Sequence, residues 1–335
     1  MTRFGTTILL LACLSIAACQ TPEDATRDVP QPVDPLPSWR DTASRQRILE
    51  FVKQVSTRTS GAYVEARDRI AVVDNDGTLW CEKPTYIQFD FIISLLRQQA
   101  ERDASLATVQ PYKAAREGDH AYFAALDHKG LFELLTTAQS GMTHEQFDRD
   151  VRAFTSGWSH PKYRKRCTQL TYQPMLELLA LLRSNGFRIY IVTGGSTEFV
   201  RTISEETYKV DRANVVGTTQ ATRYELQGER VVLMRETALV GPVNDGPGKP
   251  VNLWQRIGRR PLVAIGNSDG DLEMMRMAHE PSRQSLAILV HHDDAEREYA
   301  YDKGAEKVLA AARKNDWVVI DMKREWTRVF SFDSR

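Results

Sequence analysis

Three short apolar runs in this chain end in polar clusters that share one chemistry. Ile70-Ala71-Val72-Val73 leads into Asp74-Asn75-Asp76-Gly77-Thr78, and Ile189-Tyr190-Ile191-Val192 leads into Thr193-Gly194-Gly195-Ser196. Leu262-Val263-Ala264-Ile265 leads into Gly266-Asn267-Ser268-Asp269-Gly270-Asp271, with Lys249 upstream in Asp245-Gly246-Pro247-Gly248-Lys249-Pro250. Carboxylates gathered this densely repel one another unless a cation sits among them. Oxygen donors without a His or Cys cluster point to Mg²⁺ rather than zinc. A lysine, a threonine hydroxyl and glycine N–H groups are donors suited to a dianionic phosphate. A carboxylate beside a metal and a phosphate can attack phosphorus and form an acyl phosphate. A second carboxylate two residues along can protonate the leaving oxygen and later activate water. The chemistry expected is phosphoryl transfer by positioning and charge neutralisation.

Elements must bring these clusters together. Each run is continuously apolar, as suits a parallel strand buried on both faces. Leu286-Ala287-Ile288-Leu289-Val290 and Val318-Val319-Ile320 read as further strands. Amphipathic stretches lie between them. Residues 174–184 carry Met175, Leu178, Leu179 and Leu182 on one helical face and stop at Asn185-Gly186; residues 197–208 and 271–279 fit the same pattern. Alternating strands and helices predict an α/β fold with a parallel sheet, and ligands bind such a sheet at the carboxyl ends of its strands. Residues 82–171 hold no strand run. Their Gln, Arg, Ala, Phe and Tyr content at helical spacing predicts a helical insert with its own fold, with Tyr112, Tyr122, Phe123 and Phe132 in its core. Residues 215–236 alternate around Gln227-Gly228, a hairpin signature.

In their order, D-x-D-G-T, T-G-G, Lys and G-N-S-D-G-D resemble the motifs of the haloacid dehalogenase-like hydrolases, from about residue 65 to residue 295. The phosphoserine-phosphatase-type members, which carry a helical cap after the first motif, look most similar. The resemblance implies a Rossmann-like core of residues 41–81 and 172–335 with an inserted cap of residues 82–171. It implies Asp74 as nucleophile, Asp76 as general acid and base, and Thr193, Gly194 and Lys249 as phosphate-binding groups. Mg²⁺ would take the Asp74 carboxylate, the Asp76 backbone carbonyl and a ligand from the fourth motif. There the sequence departs from the family, with Gly266-Asn267 in place of Gly-Asp. Asn267 brings an amide oxygen without charge, so Asn267 and Asp271 are both expected at the metal. Glu82 falls near the position of a family Glu that meets a substrate amine, one residue closer to the nucleophile. Asp76 itself argues against dehalogenation, which protonates no leaving alkoxide. The expected function is Mg²⁺-dependent hydrolysis of a small organic phosphomonoester through an aspartyl-phosphate. Two alternatives stay open: phosphotransfer or mutase chemistry on the same residues, and a non-catalytic binding lipoprotein on this fold.

Lys plus Arg and Asp plus Glu number 44 each, so no global field draws nucleic acid to the chain. The N-terminus differs. Arg3, the apolar residues 6–16 and Ala17-Ala18-Cys19 read as a signal peptide over residues 1–18, with Leu14 to Cys19 resembling a lipobox. Cys19 would then carry lipid, and Pro30, Pro32, Pro35 and Pro37 make residues 19–40 a stiff tether whose last residues, Ser38-Trp39-Arg40, dock on the domain. These features imply export and a lipid anchor on the periplasmic face of the outer membrane. The expected partners are that membrane and a small-molecule phosphomonoester; the oligomeric state is open. Whether Cys81 and Cys167 pair is also open. Trp80 reads as a packing residue, and His291-His292-Asp293-Asp294, lacking a third ligand by spacing, as a polar strand end. The basic residues 162–166 read as a solvated face or as a contact for an anionic part of the substrate.

Overall fold

The computed structural model describes residues 34–126, 128–280 and 284–333. The expected signal peptide, Cys19 and the expected tether up to residue 33 lie outside them. The chain runs through α1 (Ala43–Ser56), β1 (Ile70–Val73), α2 (Ile87–Arg102), α3 (Tyr112–Glu117), α4 (His120–Ala124), α5 (His128–Gln139) and α6 (His144–Gly157). It continues with α7 (Gln173–Ser184), β2 (Arg188–Ser196), α8 (Thr197–Tyr208), β3 (Val215–Gln227), β4 (Arg230–Val240) and α9 (Gly248–Ile257). The remainder is β5 (Val263–Gly266), α10 (Leu272–Ala278), β6 (Leu286–Asp293), β7 (Ala300–Tyr301), α11 (Glu306–Lys314), β8 (Val318–Asp321) and α12 (Met322–Glu325).

Among the described residues the strands form one eight-stranded sheet in the order β4-β3-β2-β1-β5-β6-β7, with β8 beside β6. β1 pairs in parallel with β2 on one side and β5 on the other, and β2–β3, β5–β6 and β6–β8 are parallel too. All four residues of β1 and of β5 are buried, which is why these strands read as unbroken apolar runs. The chain leaves β1 toward β2 and later returns to its other side at β5. That reversal opens a crevice at the carboxyl end of β1, where an open α/β sheet holds its ligand. β3 and β4 form the expected antiparallel hairpin closed at Gln227 and Arg230.

Residues 82–171 hold α2 to α6 and, among the described residues, no strand. They do not separate from the sheet: Pro35–Arg335 forms a single compact unit. The cause is shared packing. Phe91 of α2 meets both Phe147 of α6 and Phe199 of α8 at ring distances of 5.6 and 5.4 Å. Arg235 of β4, almost fully buried, donates to the Gln139 carbonyl and side chain and to Gln220, and lies 4.0 Å from the Phe147 ring centroid. Burial lowers its guanidinium to about 10. Backbone bonds from Gly141 to the Arg235 carbonyl and from Arg235 to the Met142 carbonyl continue the same seam.

The end of the tether docks as expected. Leu36, Ser38 and Trp39 are buried; Ser38 donates from N and Oγ to Glu177, and the Trp39 indole donates to the Pro174 carbonyl. Cys81 and Cys167 are free buried thiols. Among the described residues no helix is long and apolar enough to cross a membrane.

At the end of β6, His291 and His292 point to opposite faces. The third ligand missing from the sequence spacing arrives from β8: the Asp321 carboxylate lies with His291 and Asp293 in a group able to hold a cation. His291 is already engaged, with Nδ1 at 2.7 Å from Asp321 and Nε2 at 2.8 Å from Asp302. The hydrogen bond to Asp321 raises its pKa to about 9, burial opposing. A raised histidine stabilises the fold fully below its unfolded pKa of about 6.5, and the gain is lost as pH climbs through 9. His291→Gln should therefore lower the melting temperature by about 2–4 °C at pH 6, a modest effect for a half-exposed pair. By pH 10 the two melting curves should coincide; an equal deficit at both pH values would remove the ion pair from the explanation.

Candidate active site

Strand register alone brings the motifs level. Val73 lies opposite Ile191 on one side and Ile265 on the other, so Asp74 emerges between the polar ends of β2 and β5. The Asp74 N–H donates to the Ile265 carbonyl at 2.9 Å. Its carboxylate meets Lys249 Nζ at 2.6 Å, and the same ammonium meets Asp271 Oδ1 at 2.6 Å and the Val192 carbonyl at 3.2 Å. All three ionic groups are buried. Burial and then the Asp271 charge push the Asp74 pKa well up, against the pull of Lys249. Lys249 is itself raised, the two carboxylates outweighing burial.

Asp76 stands at the turn that follows. Gly77 has φ +72°, and a Cβ there would lie 2.1 Å from Asn267 Nδ2, so the turn needs glycine twice over. Burial raises the Asp76 carboxyl to about 6, opposed by a hydrogen bond from the Trp80 indole to Oδ1 at 2.8 Å. Trp80 is thus more than the packing residue its type suggested. Its ring packs edge-on against Phe199 and Tyr208 while its N–H fixes the carboxyl. The turn is also held from below: His292 Nε2 lies 2.7 Å from the Gly77 carbonyl and Nδ1 3.2 Å from Glu298. Glu298, fully buried, further accepts from Cys81 and Tyr172. His292 is therefore a buried strut for the first motif rather than a polar strand end.

Thr193 is buried, its hydroxyl accepting from the Gly195 N–H at 3.0 Å. The loop that leads into α9, the helix of Lys249, hangs on Asn244, whose amide donates to the carbonyls of Thr193 and Val216 and accepts from Asn252. Asp271, expected at the metal, is occupied: Oδ1 holds Lys249 and Oδ2 accepts from the N–H groups of Asn267 and Ser268. It organises the fourth-motif loop. Asn267 accepts from the Thr78 hydroxyl at 3.0 Å, and its Nδ2 is buried without a partner. A hydroxyl accepts as readily as it donates, so the amide turned over keeps Thr78 and presents its oxygen where the orphaned nitrogen stands. An all-oxygen set with one crowded carboxylate and one such amide fits a hard divalent cation.

Asp74, Asp76, Gly194 and Lys249 line one cavity of about 280 Å³, together with Glu82. Glu82 is buried and lies 3.3 Å from Lys83. The basic residues 162–166 do not line it; Lys162 instead sits over the Tyr299 ring at 4.6 Å.

Residues 71–276, from β1 to α10, match the haloacid dehalogenase-like hydrolases. The chain belongs to that family. Its fold is similar to that of a protein of unknown function from Bordetella pertussis Tohama I, with a TM-score of 0.51 at 15% identity, over 76% of this chain and 98% of that one. A functionally unknown protein from Anaerococcus prevotii DSM 20548 gives a TM-score of 0.53 at 14% identity, over 82% and 91% of the two chains. A phosphoserine phosphohydrolase-like protein from Francisella tularensis subsp. tularensis SCHU S4 is more distant, with a TM-score of 0.41 at 16% identity over 77% and 95%. At these identities the likeness to the first two extends to fold alone. No curated protein matches the chain.

Within this haloacid dehalogenase-like site, Trp80, Asn244 and His292 had no motif to mark them. Trp80 has a signal in hindsight, an indole four residues after Asp76 across a tight turn. Trp80→Phe removes the donor that opposes burial, so the Asp76 carboxyl should titrate above its value of about 6. Carboxyl-carbon NMR on the variant checks this; an unchanged titration would mean the indole does not govern Asp76.

Proposed function

We propose that the chain is a Mg²⁺-dependent phosphomonoesterase that hydrolyses a small organic phosphate through an aspartyl-phosphate on Asp74. The observation that carries this reading is the buried Asp74–Lys249–Asp271 contact facing the same cavity as Asp76. Membership of a hydrolase family supports it.

Asp74 Oδ attacks phosphorus as the bond from phosphorus to the ester oxygen breaks, and the Asp76 proton passes to that oxygen. With its proton gone, Asp76 takes one from water, whose oxygen attacks the same phosphorus and releases the Asp74 carboxylate. Asp76 suits both halves because burial keeps its proton to about pH 6 while Trp80 fixes one oxygen, leaving the other to exchange protons. Lys249 neutralises charge on the phosphoryl oxygens, held in place by Asp271. The Gly194 N–H and the Thr193 hydroxyl donate to those oxygens; the Gly195 N–H is already bonded to Thr193. The Asp74 carboxylate, the Asp76 carbonyl and the Asn267 amide oxygen would hold Mg²⁺, which when bound offsets the charge of nucleophile and phosphate together. We further infer export and lipidation at Cys19, on the strength of the N-terminal sequence.

The test uses the full-length chain in detergent with p-nitrophenyl phosphate. Release should require Mg²⁺ and fall by at least about a thousandfold in Asp74→Asn, the order expected for loss of a covalent nucleophile. Equal rates in the two proteins would end the proposal.

A further inference from the structure

The cavity has a charged floor and an apolar wall. Asp74, Asp76 and Lys249 form the floor; Phe89 and Ile92 of α2 and Leu131, Phe132, Leu134 and Leu135 of α5 form the wall. Lys249 is the one cation among the described lining residues, and Asp74 and Asp271 already flank it. The other charged lining groups, Glu82 and Asp245, are acidic, and Glu82 already pairs with Lys83. A carboxylate or second phosphate on the substrate would therefore be buried without a counter-ion, facing carboxylates. A hydrocarbon group would be buried at a gain.

Beside the Tyr86 phenol, one amide side chain interrupts the wall. Gln88, only 7% exposed, comes from the first turn of α2, and its Oε1 accepts from the Ser196 N–H at 2.9 Å. A backbone N–H can meet only the amide oxygen, so the amide's orientation is fixed. Its Nε2 is left buried without a partner on a residue that lines the cavity. The approach is close enough that a Cβ on Gly195 would lie 2.2 Å from Gln88 Oε1. A buried donor left unpaired is costly, and a bound ligand oxygen satisfies it.

Resting on the phosphohydrolase reading above, we propose that the site takes the monophosphate of a small apolar alcohol with no further negative charge, of arylalkyl or branched alkyl type. Gln88 Nε2 supplies the side-chain hydrogen bond from the wall to a phosphoryl oxygen of that ester. The alcohol lies against Phe89, Phe132 and the leucines of α5.

Steady-state kinetics of the full-length chain with Mg²⁺ test this on benzyl phosphate, O-phosphoserine, phosphocholine and glucose 6-phosphate. Acetyl phosphate serves as a phosphoryl donor too short to use the wall. Benzyl phosphate should exceed each polar ester in kcat/KM by at least about 30-fold, within the range that apolar pockets achieve. Gln88→Glu keeps an oxygen for Ser196 but loses the donor, and should raise KM roughly tenfold for benzyl and acetyl phosphate alike. Phe132→Arg, which gives the wall a cation, should shrink the preference for benzyl phosphate over phosphoserine. If acetyl phosphate is hydrolysed while phosphoserine or phosphocholine equals benzyl phosphate, the substrate class is overturned and the phosphohydrolase reading stands. If neither acetyl phosphate nor any of the four esters is hydrolysed, that reading fails and the inference with it.

Discussion

One ammonium group buried between two carboxylates sets the terms for the whole site. Lys249, Asp74 and Asp271 are each almost fully removed from water, and ions so placed are tolerated only when paired and hydrogen-bonded. The arrangement is one positive charge against two negative ones, with the second oxygen of Asp271 taken by the N–H groups of Asn267 and Ser268. One negative charge is left in excess, a deficit of positive charge. The raised pKa of Asp74 expresses that deficit, because burial and Asp271 disfavour its charged form more than Lys249 favours it. A divalent cation beside Asp74 would remove the deficit, and the same cation lets a dianionic phosphate approach a carboxylate at all.

Everything else serves to hold this contact. Parallel pairing of β1 with β2 and β5 sets Asp74 level with Val192 and Gly266. The Asn244 amide ties the ends of β2 and β3 to the loop before α9, and so fixes the root of Lys249. On the other flank, His292 and Glu298 support the Gly77 carbonyl, and Trp80 fixes Asp76. These are polar interactions inside a hydrophobic surround, where a satisfied bond is strong and an unsatisfied one is costly.

The sheet was legible because buried parallel strands are unbroken apolar runs, and β1 and α8 carry the very limits that their patterns suggest. That Asp74, Asp76 and Lys249 would gather at one place was legible because the two carboxylates follow a buried parallel strand and the lysine opens the helix before its neighbour β5. What could not be read is long-range. The carboxylate that completes the group at His291 comes from β8, 28 residues beyond Asp293, and only the β6–β8 register joins them. Asp271 looks like one more acid in G-N-S-D-G-D, and its commitment to Lys249 depends on the turn that folds it back. Local periodicity also says nothing about what the amphipathic faces of the helical stretch pack against. Phe91, whose neighbours lie in α6 and α8, joins it to the sheet.

Arg235 carries a consequence for access. It anchors the end of α5, the helix that lends Leu131 to Leu135 to the cavity, to the β3–β4 hairpin, through a guanidinium sealed between Gln139, Gln220 and Phe147. Swinging this wall outward as a rigid door would strand a buried charge and break the backbone bonds at Gly141 and Met142. The cavity is thus a mould shaped before any ligand arrives, its α5 wall pinned to the hairpin at Gln139, Gly141 and Met142.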